Sequence, residues 1–593
     1  MNSVKKYLSS VDISSIASLI SAVDHVSALN VSFDKSASIS FLRNFTIEGI
    51  EPYIKYHLYM SDIKPNIVFG NYNTVHQEVL DGNSHLYSSP ADVIVLSLML
   101  EQLDAECRAP NWSAGKTKEQ ILQLFDLVAS KSSALIIVNT FIPPFYSNLG
   151  IASSSLLSGG EEITELNESI RDYVKGHSGQ FFLADWERFI RITGEGKGID
   201  YRYWYMSKAP FKKDFLNLYA LEIVKIVKAL KGYVKKCLVL DCDNVLWGGI
   251  IGEDELNGIN LDKNDYPGRA YYDFQMSVLH LVERGVSVVL CSKNNEEDVW
   301  NVLDHHPCSL IKRSHLSGWR INWDNKVDNL ISLANELNLG IDSFVFIDDD
   351  PSEYELVKRY LPEITVLQVP TNLYTYPQLL FREGLFDALN ISTEDKQRSV
   401  MYQAEAQRRQ EKSRFENLEE YLASTELSAV IHLARDHEIG RVAQLTQKTN
   451  QFNLTTRRYS ERDIRDFCSD PAWAVYSLTA KDKFGDYGLT GVLIARHEGE
   501  EGIIDTLLLS CRILGRRFEI SLVEHCFRDL EDKWNIKRWK AEYIPTKKNQ
   551  QVANFWNSVG SKQVEEINGT RSYFMERGGL KSENTDFIKV IGD

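Results

Sequence analysis

Three apolar runs in this 593-residue chain end on side chains that could react together. CLVLDCDNVLWGG (237–249) carries Asp241, Cys242 and Asp243 just past its apolar run. SVVLCS (287–292) closes on Ser292, followed by Lys293 and Asn294. SFVFIDDD (343–350) closes on Asp348 and Asp349, and Lys326 opens the helical stretch before it. Carboxylates gathered at one point repel one another unless a hard cation sits among them. Mg2+ takes oxygen ligands, typically one or two carboxylates with waters and a phosphate. A serine and a lysine nearby suit a phosphoryl group, and an aspartate could then act as nucleophile. A second aspartate two residues on points to the same side of an extended chain. It can protonate a leaving oxygen and then activate water. Asp and Asn are common in turns, so neither acidic motif says much alone. The ordered set of D-x-D, strand-end Ser, Lys and D-D does.

In an open parallel sheet such side chains collect at the carboxyl ends of the strands. The elements around them fit that placement. CLVLD (237–241), SVVLCS (287–292), SFVFIDDD (343–350) and TVLQVP (365–370) read as strands, with helices at 271–285 and 326–340 between them. Upstream, the runs at 37–42, 65–70, 91–98 and 133–140 alternate with helix-length polar segments, which implies a first α/β layer. The helix 215–232 ends on Gly232, a C-cap signal. The expected organisation is α/β, with units at 1–232 and 233–388, a charged helical linker at 389–425 and an α+β unit at 426–593. The aromatic loop 193–211 is expected to pack on the second unit. Only about 20 residues separate Gly249 from the next helix, and about 30 separate Ser292 from Lys326, too few for a large cap domain.

Composition narrows the partners. A net charge of −16 and a pI near 5.4 argue against nucleic-acid or anionic-membrane binding. The eight cysteines are scattered, with no CxxC pair, which fits free thiols in a reducing cytoplasm. Seven are read as small apolar core residues. The N-terminus has no apolar signal region, and no run reaches the ~18–20 apolar residues of a membrane span.

The motifs resemble those of the haloacid dehalogenase (HAD) superfamily of phosphatases. More narrowly, LDCDNVLWGGIIGEDELNGI, CSKNNEEDVW, NWDNKVDNL and FVFIDDDPSEYELVK are similar to the FkbH-like branch, with Val245 where a threonine is usual. The resemblance implies Asp241 as nucleophile and Asp243 as acid and base. It places Ser292 and Lys326 at the phosphate, with Lys293 and Asn294 beside them at the substrate. It implies Mg2+ held by Asp241, Asp243, Asp348 and Asp349. FkbH-like proteins take 1,3-bisphosphoglycerate, remove phosphate and load a glyceryl unit onto an acyl carrier protein for polyketide assembly.

Acyl loading gives Cys242 a candidate role, holding the glyceryl group as a thioester before transfer to the carrier's phosphopantetheine. Pleat alternation speaks against it, since a residue between two inward aspartates should face away. Cys291 is the next candidate. The first unit is similar to the SGNH-hydrolase-like region of longer FkbH-like proteins, but RNFT follows its first strand without the serine, so a non-catalytic docking domain is expected. The last unit resembles a GNAT acyltransferase fold. Its R-x-x-G-R loop, with Arg512 and Gly515, is expected to meet a pantetheine-bearing substrate. Arg457, Arg458, Arg516 and Arg517 would extend a basic patch for an acidic carrier. Two other readings stand: a plain HAD phosphatase on a sugar or small-molecule phosphate, and a carrier-binding scaffold with a vestigial site.

Overall fold

VIVLS and LIIVN are buried at every residue, the mark of parallel strands covered on both faces. The computed structural model describes residues 2–29, 31–88, 90–109, 111–146, 150–151, 159–390, 415, 417–581 and 585–592. They divide into two compact units. One is Met1–Lys231 with Ser460–Asp463, the other Gly232–Tyr459 with Ile464–Asp593. Most of the expected linker, 391–414 and 416, lies outside the described residues, while Leu418–Ser424 is helical. Among the described residues no helix is long and apolar enough to cross a membrane.

The first unit is built on β1 (Lys35–Arg43), β2 (Ile63–Phe69), β3 (Val93–Ser97), β4 (Leu135–Asn139) and β5 (Phe181–Ala184). All pair in parallel, in the order β2-β1-β3-β4-β5, a doubly wound arrangement. The four-residue β5 was too short to read from sequence. Where β1 ends, Asn44 exchanges amide hydrogen bonds with the Met99 backbone (3.0 and 2.8 Å). Asn139 does the same with Leu98 (2.8 and 3.0 Å). These amides stitch the carboxyl edge of the sheet. In the 193–211 loop, Phe211 stacks on Phe215 at 3.9 Å and lies edge-on to Trp186, inside the aromatic core of its own unit.

The second unit holds two sheets. The first comprises β6 (Cys237–Leu240), β7 (Ser287–Ser292), β8 (Gly318–Ile321), β9 (Phe344–Asp348) and β10 (Thr365–Gln368). They are parallel, in the order β10-β9-β6-β7-β8. The chain leaves β6 toward β7 and β8 on one side and returns to β9 and β10 on the other, so β6/β9 is the switch point. β8, GWRI, was not foreseen, because a tryptophan and an arginine interrupt so short a run.

The second sheet comprises β11 (Ser428–Leu433), β12 (Phe452–Asn453), β13 (Trp473–Asp482), β14 (Gly485–Glu498), β15 (Glu501–Leu509), β16 (Arg538–Tyr543), β17 (Lys562–Ile567), β18 (Thr570–Glu576) and β19 (Lys589–Gly592). Its order is β17-β18-β16-β15-β14-β13-β11-β19, with β12 on β15. The two layers of this unit touch through Asn338 Nδ2 donating to the Cys511 carbonyl (2.9 Å), Lys236 Nζ donating to the Lys448 carbonyl (2.9 Å) and a Lys548–Asp342 ion pair. Sequence reading placed a domain boundary between them. The cysteines are less uniformly core than expected. Five are buried, Cys308 and Cys511 are half-buried, and Cys468 is exposed.

Candidate active site

Register brings the acids together. Leu240 on β6 lies opposite Leu290 on β7 and Ile347 on β9. One residue further, Asp241 comes level with Asp348, and its N–H donates to the Ile347 carbonyl (3.1 Å). The pleat then sorts the side chains. Leu238, Leu240 and Cys242 enter the core under the helix Gly268–Glu283. Cys237 and Val239 face the helices Lys326–Leu337 and Pro351–Tyr360. Asp241 follows the second series.

Lys326 reaches the acids because Asn325 starts its helix there, accepting the Val327 N–H at 2.8 Å. Lys326 Nζ lies 2.8 Å from Asp241 Oδ2 and 2.6 Å from Asp348 Oδ2, with its side chain only 3% exposed. Burial opposes its charge, but the two carboxylates prevail and its pKa is raised. Asp348 is pushed up to about 6 by burial and by repulsion from Asp241. Asp349 is raised for the same two reasons, opposed by a hydrogen bond from Asn244. Carboxylate oxygens of Asp241, Asp348 and Asp349 lie within 4.8 Å of one another. Three carboxylates against one ammonium leave two negative charges unbalanced in a half-dry site. The donors are all oxygen, so this set fits a hard divalent cation.

Asp243 does not join that set, and its expected place among the metal carboxylates is corrected. Its Oδ1 accepts the Trp247 indole N–H (2.9 Å) and the Ile251 N–H (3.0 Å). Its Oδ2 accepts from Asn294 Nδ2 (2.8 Å). Burial raises its pKa, and Asp241 adds to the rise, so it holds a proton more readily than an exposed carboxylate. Asn294 therefore orients Asp243, while Lys293 turns outward to pair with Glu353 at 2.6 Å. Ser292 ends β7, 2% exposed, and hydrogen bonds to the Cys242 thiol. The Asp350 N–H donates to Asp348 Oδ1 (3.0 Å), while its carboxylate caps the helix Pro351–Tyr360 through the Ser352 N–H (2.8 Å).

The enclosure of Cys242 speaks against the thioester role expected of it. Its side chain is wholly enclosed in the apolar core with Leu240, Val245 and Trp247. Burial pushes the thiol's pKa well up, and the charges of Asp241 and Asp243 push it further. Cys291 is equally enclosed on the other face, and burial likewise raises its pKa. Two supporting residues were missed. Asn244 takes a positive φ of 53° and binds both Asp349 and the Gly249 N–H (2.9 Å). Trp247 holds Asp243. The signal was the asparagine directly after D-x-D, since Asn tolerates left-handed backbone.

Arg512 and Gly515 are not brought to this site. They belong to the loop that meets Asn338 through Cys511, at the far end of a 12-residue helix whose first residue is Lys326. That length is about 18 Å at 1.5 Å per residue. Arg457 pairs with Asp505 at 2.6 Å and Glu542 at 2.8 Å. Arg458, half-buried, donates to the carbonyls of Thr446 and Gln447. Arg517 pairs with Glu419 at 3.1 Å, and Arg516 lies over the Tyr487 ring at 5.1 Å. The expected basic patch is thus largely taken up inside the layer. A gap between strands is also closed. β15 and β16 pair in parallel only over Glu501–Ile504 and Arg538–Ala541. β12 fills the opening. Leu454 N–H donates to the Leu507 carbonyl (3.1 Å), and Ile544 N–H donates to the Leu454 carbonyl (2.8 Å). An extended pantetheine arm, expected to enter this layer, finds those backbone groups already used.

No family model matches the sequence, and no curated protein matches it. Among solved structures, the N-terminal part of the protein BF1531 from Bacteroides fragilis, described as containing a phosphatase domain complexed with Mg, is similar. The identity is 24% and the TM-score 0.58, over 63% of this chain and 99% of that one. The likeness establishes a shared α/β fold. The ribosomal-protein-S18-alanine N-acetyltransferase of Escherichia coli aligns over 26% of this chain and 97% of its own, at 12% identity and TM-score 0.21.

Proposed function

We propose that the chain is a magnesium-dependent phosphotransfer enzyme of the HAD type. The observation that carries this reading is the Asp241–Lys326–Asp348 arrangement with Asp349 beside it. The similar structure from Bacteroides fragilis, with its phosphatase domain and Mg, supports it. Asp241, Asp348 and Asp349 would hold Mg2+, which would neutralise phosphoryl charge when bound. Asp241 is aimed for attack, one oxygen fixed by the Cys242 N–H (2.7 Å) and the other by Lys326. Its oxygen forms a bond to phosphorus as the bond to the leaving oxygen breaks. Asp243 gives that oxygen its proton. Asp243 then takes a proton from water, which attacks the phosphorus of the aspartyl phosphate, releases phosphate and restores Asp241. Ser292 and Lys326 bind the phosphoryl oxygens.

The finer reading is glyceryl transfer. The carrier's pantetheine thiolate attacks the carbonyl carbon of the acyl phosphate and displaces phosphate. The remaining 3-phosphate is then hydrolysed at Asp241. This reading rests on the motif resemblance, and the short stretches after β6 and β7, too short for a large cap domain, suit a tethered substrate. One observation favours a plain phosphatase of small molecules instead, namely that β12 occupies the gap between β15 and β16.

The test is phosphate release from an acyl phosphate by the full chain, with carrier protein present. Magnesium is expected to support release and a chelator to lower it by about 100-fold or more. The carrier should gain a glyceryl-sized mass under the finer reading. Release without any carrier adduct would leave the plain phosphatase. Release indifferent to chelator would defeat the magnesium assignment. Cys242→Ala is expected to keep turnover within about threefold while costing about 1 kcal/mol of stability from lost burial. Parallel turnover and urea-unfolding measurements check this, and a turnover loss without a stability loss would return the thiol to the chemistry.

A further inference from the structure

The chain has 11 tryptophans. Among the described residues ten are buried or half-buried, and Trp323 alone is exposed, at 70%. Leaving an indole in water forgoes one of the largest burial gains a side chain can make, yet this one is not loose. Its indole N–H donates to Asn295 Oδ1 (3.1 Å), and Asn295 is in turn held by Asp298 (3.1 Å). The neighbouring Asn294 binds Asp243. The backbone beneath the ring is tied as firmly. Asn322 N–H donates to the Ser292 carbonyl (3.1 Å), and the Asp324 N–H donates to Asn322 Oδ1 (3.0 Å). Three residues after Trp323 comes Lys326, on Asp241 and Asp348. The ring is therefore fixed by the same two loops that carry Ser292, Asn294 and Lys326, at the carboxyl edge of β7 and β8.

We propose that Trp323 is the specificity-determining platform of this site. The carbon skeleton of a phosphomonoester or acyl phosphate would lay an apolar or C–H face on it while the phosphoryl group sits at Asp241. The assignment rests on the phosphotransfer reading above. It specifies what that reading leaves open. The leaving group has a flat apolar face, aryl or the C–H side of a short polyol. Lys293, the cation beside Ser292, is paired with Glu353, and Asp324 and Asp298 lie near the ring in sequence or by contact. That acidic rim disfavours a second strongly anionic group at the platform.

Two non-hydrolysable probes separate the ring from the phosphate site. Binding of phenylphosphonate and methylphosphonate to the full chain with magnesium would be measured by calorimetry, for wild type, Trp323→Ala and Trp323→Phe. Wild type is expected to prefer phenylphosphonate by about tenfold. Trp323→Ala should erase the preference and leave methylphosphonate affinity within about twofold, while Trp323→Phe should keep most of it. An unchanged preference in Trp323→Ala, an equal loss for both probes, or no binding of either probe to wild type would overturn the proposal. The preference with its loss in Trp323→Ala, in a protein that releases no phosphate from any substrate, would sink the phosphotransfer reading and leave the platform standing.

Discussion

Asp241→Asn is expected to abolish phosphate release, lowering it by about 10^4-fold or more, the scale seen when a nucleophile acting as part of a unit is removed. The amide keeps the volume, and its single oxygen can still accept one of the two donors, the Cys242 N–H or the Lys326 ammonium, so the fold should persist with one hydrogen bond fewer. It cannot form the aspartyl phosphate. Steady-state phosphate release beside circular dichroism checks both halves. Activity within about tenfold of wild type would mean that Asp241 only positions the substrate and that another group attacks.

Lys326→Met should have the second-largest effect, and on stability as well as rate. Lys326 is the shared partner of two acids, Asp241 and Asp348, the latter 0% exposed. Removing one partner of a buried ion pair typically costs about 3–5 kcal/mol, because the other charge stays buried and uncompensated. The urea midpoint of the variant should fall accordingly without magnesium. A cation bound only by the native state adds about 2.7 kcal/mol at 100 times its Kd, so saturating magnesium should recover part of the loss. Turnover should drop by about 10^3-fold, as for loss of a preorganised electrostatic partner. A midpoint unmoved in either condition would show that the acids relax into solvent and that the buried triad is not what shapes the site.

The central layer was legible because its chemistry sits where pattern is strongest. CLVL and FVFI are buried throughout, so their ends could be placed to within two residues, and Asp241 and Asp348 fall where parallel register puts them side by side. Legibility failed for Asp243 and Cys242 for one reason. Sequence spacing says which side of a strand a residue takes, but the strand stops at Leu240. Beyond it Asp243 turns to Trp247, Ile251 and Asn294, whereas Cys242 keeps the pleat and enters the core. The alternation argument was right about where the cysteine faces. Arg512 and Gly515 show a different limit. A loop motif can suggest a ligand, but only coordinates reveal that its loop lies at the far end of the Lys326 helix and that β12 occupies the neighbouring strand gap. Trp323 was printed in NWDNK all along. Composition gives an exposed and a buried tryptophan the same letter.

The central claim is that the covalent step happens on the carboxylate of Asp241 and not on the thiol beside it. The most direct measurement is acid-quenched peptide mapping by mass spectrometry, after mixing the full chain with magnesium and an acyl phosphate. The account predicts a phosphoryl-sized increase on the peptide carrying Asp241, present in Cys242→Ala and absent from Asp241→Asn. An acyl-sized increase that disappears in Cys242→Ala would contradict it, and would mean that the enclosed thiol opens to the substrate and carries the group itself.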